Sequence, residues 1–193
     1  MSIIKYNSIL DIFLKKLIPE TKKSVSKGNK IFGAFVISKL DYKLITLGTN
    51  NEIINPIYHG EIVTILNFFK LKNLQPKDYL FVSSHEPCSL CLSAITWGGF
   101  DNFYYFFPYE DTKKKFKISH DLNILKEVFN IEKGKYKIKN YYWESNSILD
   151  NLNYLNSIET SNLLSKIEII RHHYNDLSTL YQNSKNLNNI PLK

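Results

Sequence analysis

The sequence is sparing with cysteine, arginine and long apolar runs, and each scarcity excludes something. Cys88 and Cys91 are the only cysteines among 193 residues. Two thiols three positions apart cannot form a disulfide framework, so metal binding in a reducing compartment, the cytoplasm, is expected. No run nears the roughly 20 uninterrupted apolar residues of a membrane-spanning helix. The opening MSIIKYNSILDIFLKK is broken by Lys5 and Asp11, so neither a secreted nor a membrane-bound form is expected. Arg171 is the one arginine, although 25 basic against 18 acidic residues give a net charge of +7. Arginine is the residue of bidentate phosphate and base contacts. The charge is therefore read as scattered lysine, with RNA kept as an alternative partner. Repeats and interdomain linkers are also missing, and 44% hydrophobic content suits one sizeable core.

The apolar series Ile3, Ile4, Ile9, Leu10, Phe13, Leu14, Leu17 predicts an amphipathic helix ending before Pro19. IFGAFVI (31–37) and LITLG (44–48) read as a hairpin. A polar loop, 49–58, then leads into a mostly buried helix opening at His59. DYLFVSS (78–84) is a third strand, followed by a helix from Pro87 through CSLCLSAITW and stopped by Gly98 and Gly99. NFYYFFP (102–108) is a fourth strand whose aromatic residues belong to the core. A lysine-rich loop, a helix near His120–Asn130 and a fifth strand, KYKIKNYYW (135–143), come next. Two more helices, 147–156 and 161–180, precede a frayed Asn-rich end. This order predicts an α/β fold, a mixed five-stranded sheet with helices on both faces.

Two segments carry chemistry. His59-Gly60-Glu61 and Pro87-Cys88-Ser89-Leu90-Cys91 each stand at a predicted helix start. Cys88 and Cys91 share one helix face, and a helix N-terminus favours thiolates, the form zinc requires. With His59 they make three ligands and leave a fourth, catalytic position for water. His59 and Glu61 diverge by about 200° in mid-helix, so the metal must sit over the helix end. There the carboxylate can take a proton from water and pass it to a substrate. A closed structural site would need a fourth ligand, and His85 is the nearest. His172 and His173 have no ligand set around them.

These residues resemble the signature of the zinc-dependent cytidine and deoxycytidylate deaminase superfamily, H-x-E followed by P-C-x-x-C. Glu86 extends the second segment to EPCSLC, and Asn55-Pro56 precede the histidine. Both features are similar to the branch of guanine deaminases and tRNA adenosine deaminases, with Leu90 where that branch has methionine. The resemblance implies a three-layer α/β/α fold, with a deaminase core over about 30–155. The N-terminal helix, about 3–17, and a C-terminal helical extension, about 156–193, would be additions to a single domain. It implies Zn2+ on His59, Cys88 and Cys91, with Glu61 as the proton shuttle of a hydrolytic deamination that releases ammonia.

The favoured substrate is a small purine base or nucleoside, guanine first. Adenosine in tRNA, a cytosine-type base, or a non-catalytic zinc-stabilised binding subunit are the alternatives. The same resemblance implies that Asn50 or Asn51 contacts the base and, as in guanine deaminases, that Glu110 or Asp111 supplies the carboxylate at its N–H edge. Gly60, Glu86 and the ring of Tyr109 complete the expected binding set. Gly60 stands where that family more commonly has alanine, and the smaller residue should be tolerated. A homodimer is expected. Lys113 to Lys115, and the alternating lysines 133 to 139, read as a solvated loop and a protected sheet edge.

Overall fold

The computed structural model describes residues 3–153 and 157–193. Its five-stranded sheet has the order β2-β1-β3-β4-β5. β1 (Gly33–Ser38) lies between β2 (Leu44–Thr49) and β3 (Tyr79–His85), antiparallel to both. β4 (Asn102–Phe107) runs parallel to β3, and β5 (Glu144–Ser147) parallel to β4.

Alternation along the strands divides the core. Phe35, Ile37, Val82, Tyr104 and Phe106 point to one face, and Ala34, Val36, Phe81 and Phe103 to the other. The second face is covered by Phe68 of α3 (Gly60–Lys70) and by Leu92 and Ile95 of α4 (Ser89–Trp97). The first is covered by α1 (Ile3–Ile12), the π-helical segment Phe13–Leu17 and α2 (Ile18–Val25). They pack there together with the long α8 (Ser157–Ser184). Tyr6, Leu10, Phe13 and Leu17 pack with Ile170, Tyr174 and Tyr181 in one buried cluster. The two chain ends expected as additions are thus a layer of the core.

Several boundaries differ from expectation. The first helix does not stop at Pro19. Ile18 N–H reaches back five residues to Phe13 O, and Pro19 falls at the restarted helix's first turn, where its missing N–H costs nothing. The lysine-rich loop contains a short helix, α5 (Tyr109–Lys114), with acids in its first turn and lysines in its last. The predicted strand 135–143 is irregular. Asn140 Oδ1 accepts the N–H groups of Tyr142 and Trp143, and that turn delays β5 to Glu144. Of the four lysines, Lys133 lies in a 3-10 turn (Glu132–Gly134), Lys135 and Lys137 are loop residues, and Lys139 alone borders the sheet, through a single antiparallel bridge to Glu144. Beyond α6 (His120–Phe129) and α7 (Ile148–Asn153), the end of helix 147–156 lies outside the described residues. The tail expected to fray is anchored. Asn188 Nδ2 donates to Gly28 O at 2.9 Å, and Ile190 is buried.

Candidate metal centre and substrate cavity

Both chemical segments lie at helix N-termini at the same end of the strands, by the start of β1 and the end of β3. His59 and Cys88 are the N-cap residues of α3 and α4, with extended backbone (ψ 157° and 171°). Each ligand is therefore swung out over its own helix end. His59 Nδ1 is 3.4 Å from Cys88 Sγ and 3.6 Å from Cys91 Sγ, and the two sulfurs are 3.5 Å apart. A tetrahedral zinc with bonds of about 2.3 Å to sulfur and 2.0–2.1 Å to nitrogen sets these edges at roughly 3.6–3.8 Å. The donor set and its spacing fit that ion. Glu61 is buried in the first turn of α3, its Oε1 accepting the Ser83 hydroxyl at 2.6 Å and its Oε2 3.3 Å from Cys91 Sγ. Burial, reinforced by the negative charge of Cys88, pushes the Glu61 carboxyl above the ordinary carboxylate range.

Residues 8–107 match the zinc-binding region of cytidine and deoxycytidylate deaminases. The chain belongs to that family. Among curated relatives it is 28% identical to a tRNA-specific adenosine deaminase of Rickettsia typhi over 97 residues, 48% of this chain and 64% of the relative. It is 33% identical to a cytosine deaminase of Candida albicans over 89 residues, 45% of this chain and 59% of the relative. It is also 33% identical to a guanine deaminase of Bacillus subtilis over 91 residues, 45% and 57%. The matches thus span less than two thirds of these relatives' lengths. The solved structure of guanine deaminase from Bacillus subtilis superposes with a TM-score of 0.52 at 24% identity, covering 84% of this chain and 93% of that one. That likeness is one of fold.

In this family member the metal cradle opens into a cavity of about 250 Å³. Its walls combine Phe32, Ile57, Leu90, Ile118 and Ile124 with Lys30, Glu52, His120 and Asp121. Ile190, Pro191 and Leu192 also line it, and the His120 ring nitrogen Nε2 is 2.9 Å from Lys193 O. The anchored tail is thereby part of the cavity wall.

Several expected contacts lie elsewhere. Asn50 is 1% exposed and turned inward, its Oδ1 accepting Gly60 N–H at 2.6 Å and its Nδ2 donating to Glu52 Oε2 at 2.8 Å. Asn51 caps the loop, taking the N–H groups of Ile54 and Asn55 on its carbonyl. Glu110 and Asp111 leave the site because α5 turns them outward, where they pair with Lys114 and Lys115. Tyr109 sits behind the cysteine turn, donating its hydroxyl to Pro87 O and its N–H to Glu86 Oε2. Glu86 also accepts the Tyr136 hydroxyl at 2.8 Å, so it braces that turn. Gly60 is needed here, since a Cβ would lie 2.5 Å from Gly33 Cα. His85 stays out of the cluster. Its Nδ1 is 2.9 Å from Ser84 Oγ, and Phe32, Phe107, Phe116 and Tyr174 surround the ring.

The sequence reading missed Lys30, Glu52, His120 and Asp121. Asp121 looks like an ordinary first-turn helix acid, and Lys30 like one lysine among many. Nothing in their local pattern marks them.

Proposed function

We propose that this chain is a zinc-dependent hydrolytic deaminase of a small nucleobase, with the amino-bearing purine guanine as first substrate. His59, Cys88 and Cys91 hold the ion through Nδ1 and two thiolates. Zinc, when bound, supplies Lewis acidity and brings water toward ionisation near neutral pH. Glu61 is the proton carrier. Ser83 holds one carboxylate oxygen and leaves the other toward the cradle. A carboxyl whose proton affinity is raised by burial can accept a proton from water and return it to the ring nitrogen, then to the departing amine. The net change is one water consumed, one exocyclic C–N bond broken and one ammonia released. The observation that carries this reading is the convergence of Glu61 on the ligand cluster at the base of a cavity that also contains Asp121.

Asp121 takes the role first given to Glu110 or Asp111, accepting a ring N–H of the base. The wall formed by Ile190–Leu192 favours a free base over a tRNA loop. Lys114 and Lys115 are spent on neighbouring acids and add nothing toward RNA phosphates. Leu66 and Phe69 of α3 and Leu90 and Trp97 of α4 are exposed, and we place a second copy of the chain on them as a homodimer. Free, buried Cys88 and Cys91 suit a reducing compartment such as the cytoplasm.

The test is mass spectrometry of guanine, guanosine, adenine, adenosine, cytosine, cytidine and bulk tRNA incubated with zinc-loaded wild type and Glu61→Ala. Amino-to-oxo exchange of a free base by wild type alone is expected. Bound zinc without conversion of any compound would leave a zinc-stabilised binding protein. Conversion of tRNA alone would replace the free-base assignment, and a monomer by light scattering would remove the dimer.

A further inference from the structure

The amide expected to read the base is fully committed, and a different polar pair occupies the wall near it. Lys30 Nζ and Glu52 Oε1 are 2.5 Å apart, with side chains only 6% and 2% exposed. Glu52 Oε2 is gripped by Asn50 Nδ2 and by the Lys30 backbone N–H, so the pair is fixed in place. Both residues line the cavity that holds Asp121. An ammonium carries three N–H donors. Glu52 takes one, and among the described residues no second acceptor for Lys30 Nζ exists. Replacing a buried ion pair by apolar residues is often neutral or stabilising, so packing alone gives little reason for this one.

We propose that Lys30 is a specificity-determining donor that reads an oxo oxygen of the base, while Asp121 accepts a ring N–H and Glu52 holds the ammonium in position. This rests on the deaminase reading above and narrows it. The substrates are bases that carry both an amine and an oxo group, as guanine and cytosine do. Bases with an amine alone, such as adenine, leave the Lys30 donor buried and unpaired, and a site built around a hydrogen bond rejects analogues that lack the partner.

The experiment compares kcat/KM within two pairs that keep the ring N–H and differ at the oxo position, guanine against 6-thioguanine and cytosine against 2-thiocytosine, in which a weakly accepting sulfur replaces the oxygen. For a base that is turned over, wild type is expected to favour the oxo member by about 10–100-fold, the effect of one hydrogen bond to a charged group. Equal rates overturn the proposal without any variant. Glu52 Oε1 also lies 3.9 Å from Nε2 of the ligand His59, so zinc content is measured alongside. In Lys30→Met/Glu52→Gln, which removes donor and counter-charge together, the preference should collapse in the zinc-loaded protein. Lys30→Gln/Glu52→Gln keeps an N–H and should recover part of it. A wild-type preference surviving in the methionine variant overturns the assignment of Lys30 and leaves the deaminase reading standing. Failure of zinc-loaded wild type to convert any of the four bases overturns both.

Discussion

The metal cradle and the cavity wall sit side by side and are built in opposite ways. The cradle is two short segments, each placing its ligand at the N-cap of its own helix, so three residues of local sequence nearly suffice to aim His59 or Cys88. The wall gathers Lys30 from the turn after α2, Glu52 from the loop after β2, Asp121 from α6 and Ile190 from beyond α8. On the deaminase reading proposed above, reaction chemistry is encoded locally and recognition through tertiary contacts. Changes to the cradle should therefore abolish turnover of every base alike, and changes to the wall should alter which base is taken.

The largest effect is expected at the cradle. Cys91→Ser replaces a thiolate with a hydroxyl that stays protonated, and bound zinc should drop from about one ion per chain to near none, with turnover of all bases lost. Zinc retained at full stoichiometry by elemental analysis would show that the cluster is not the site.

A smaller, selective effect is expected at the wall. Burial, reinforced by the negative charge of Cys88, pushes the Asp121 carboxyl up to about 8. Asp121→Asn should therefore lower kcat/KM for the best base only about 3–10-fold, with zinc content unchanged, the cost of one hydrogen bond. An unchanged kcat/KM would remove Asp121 from recognition.

Between the two regions lies His85, whose pKa burial pushes down to about 3. In the unfolded chain it protonates near pH 6.5, whereas in the folded chain it stays neutral. Stability should accordingly fall as the pH drops below about 6.5, by up to about 1.4 kcal/mol per pH unit from this group. Urea unfolding across that range checks the slope. His85→Leu should flatten it, and an unaltered slope would place the acid sensitivity elsewhere.

The same division governs how much was legible in the sequence. The mixed sheet, the hairpin and the two ligand-bearing helices followed from apolar periodicity and helix-start residues, because those signals are local. So did the buried alternation of Phe103 to Phe107. The fifth strand was misplaced because alternation in KYKIKNYYW imitates a strand while Asn140 folds the chain into a turn. Glu110 and Asp111 looked well placed until α5 formed and paired them with lysines on the helix surface. Lys30 and Glu52 are separated by a whole hairpin, and Asp121 is a common helix acid. Only tertiary structure shows that they share a cavity.

The π segment Phe13–Leu17 has a consequence for how the chain tolerates changes in length. It places one extra residue in the helix, and the phase that it sets lets Ser24 of α2 donate its hydroxyl to Asn50 O. Deleting a residue there would restore regular α-helix but rotate everything after it by about 100°, carrying Ser24 away from the loop that holds Asn50 and Glu52. The spacing of side chains far upstream of His59 is in this way tied to the loop that carries Glu52 into the cavity, and on the reading proposed above an insertion or deletion in the first helix should act as a recognition mutation.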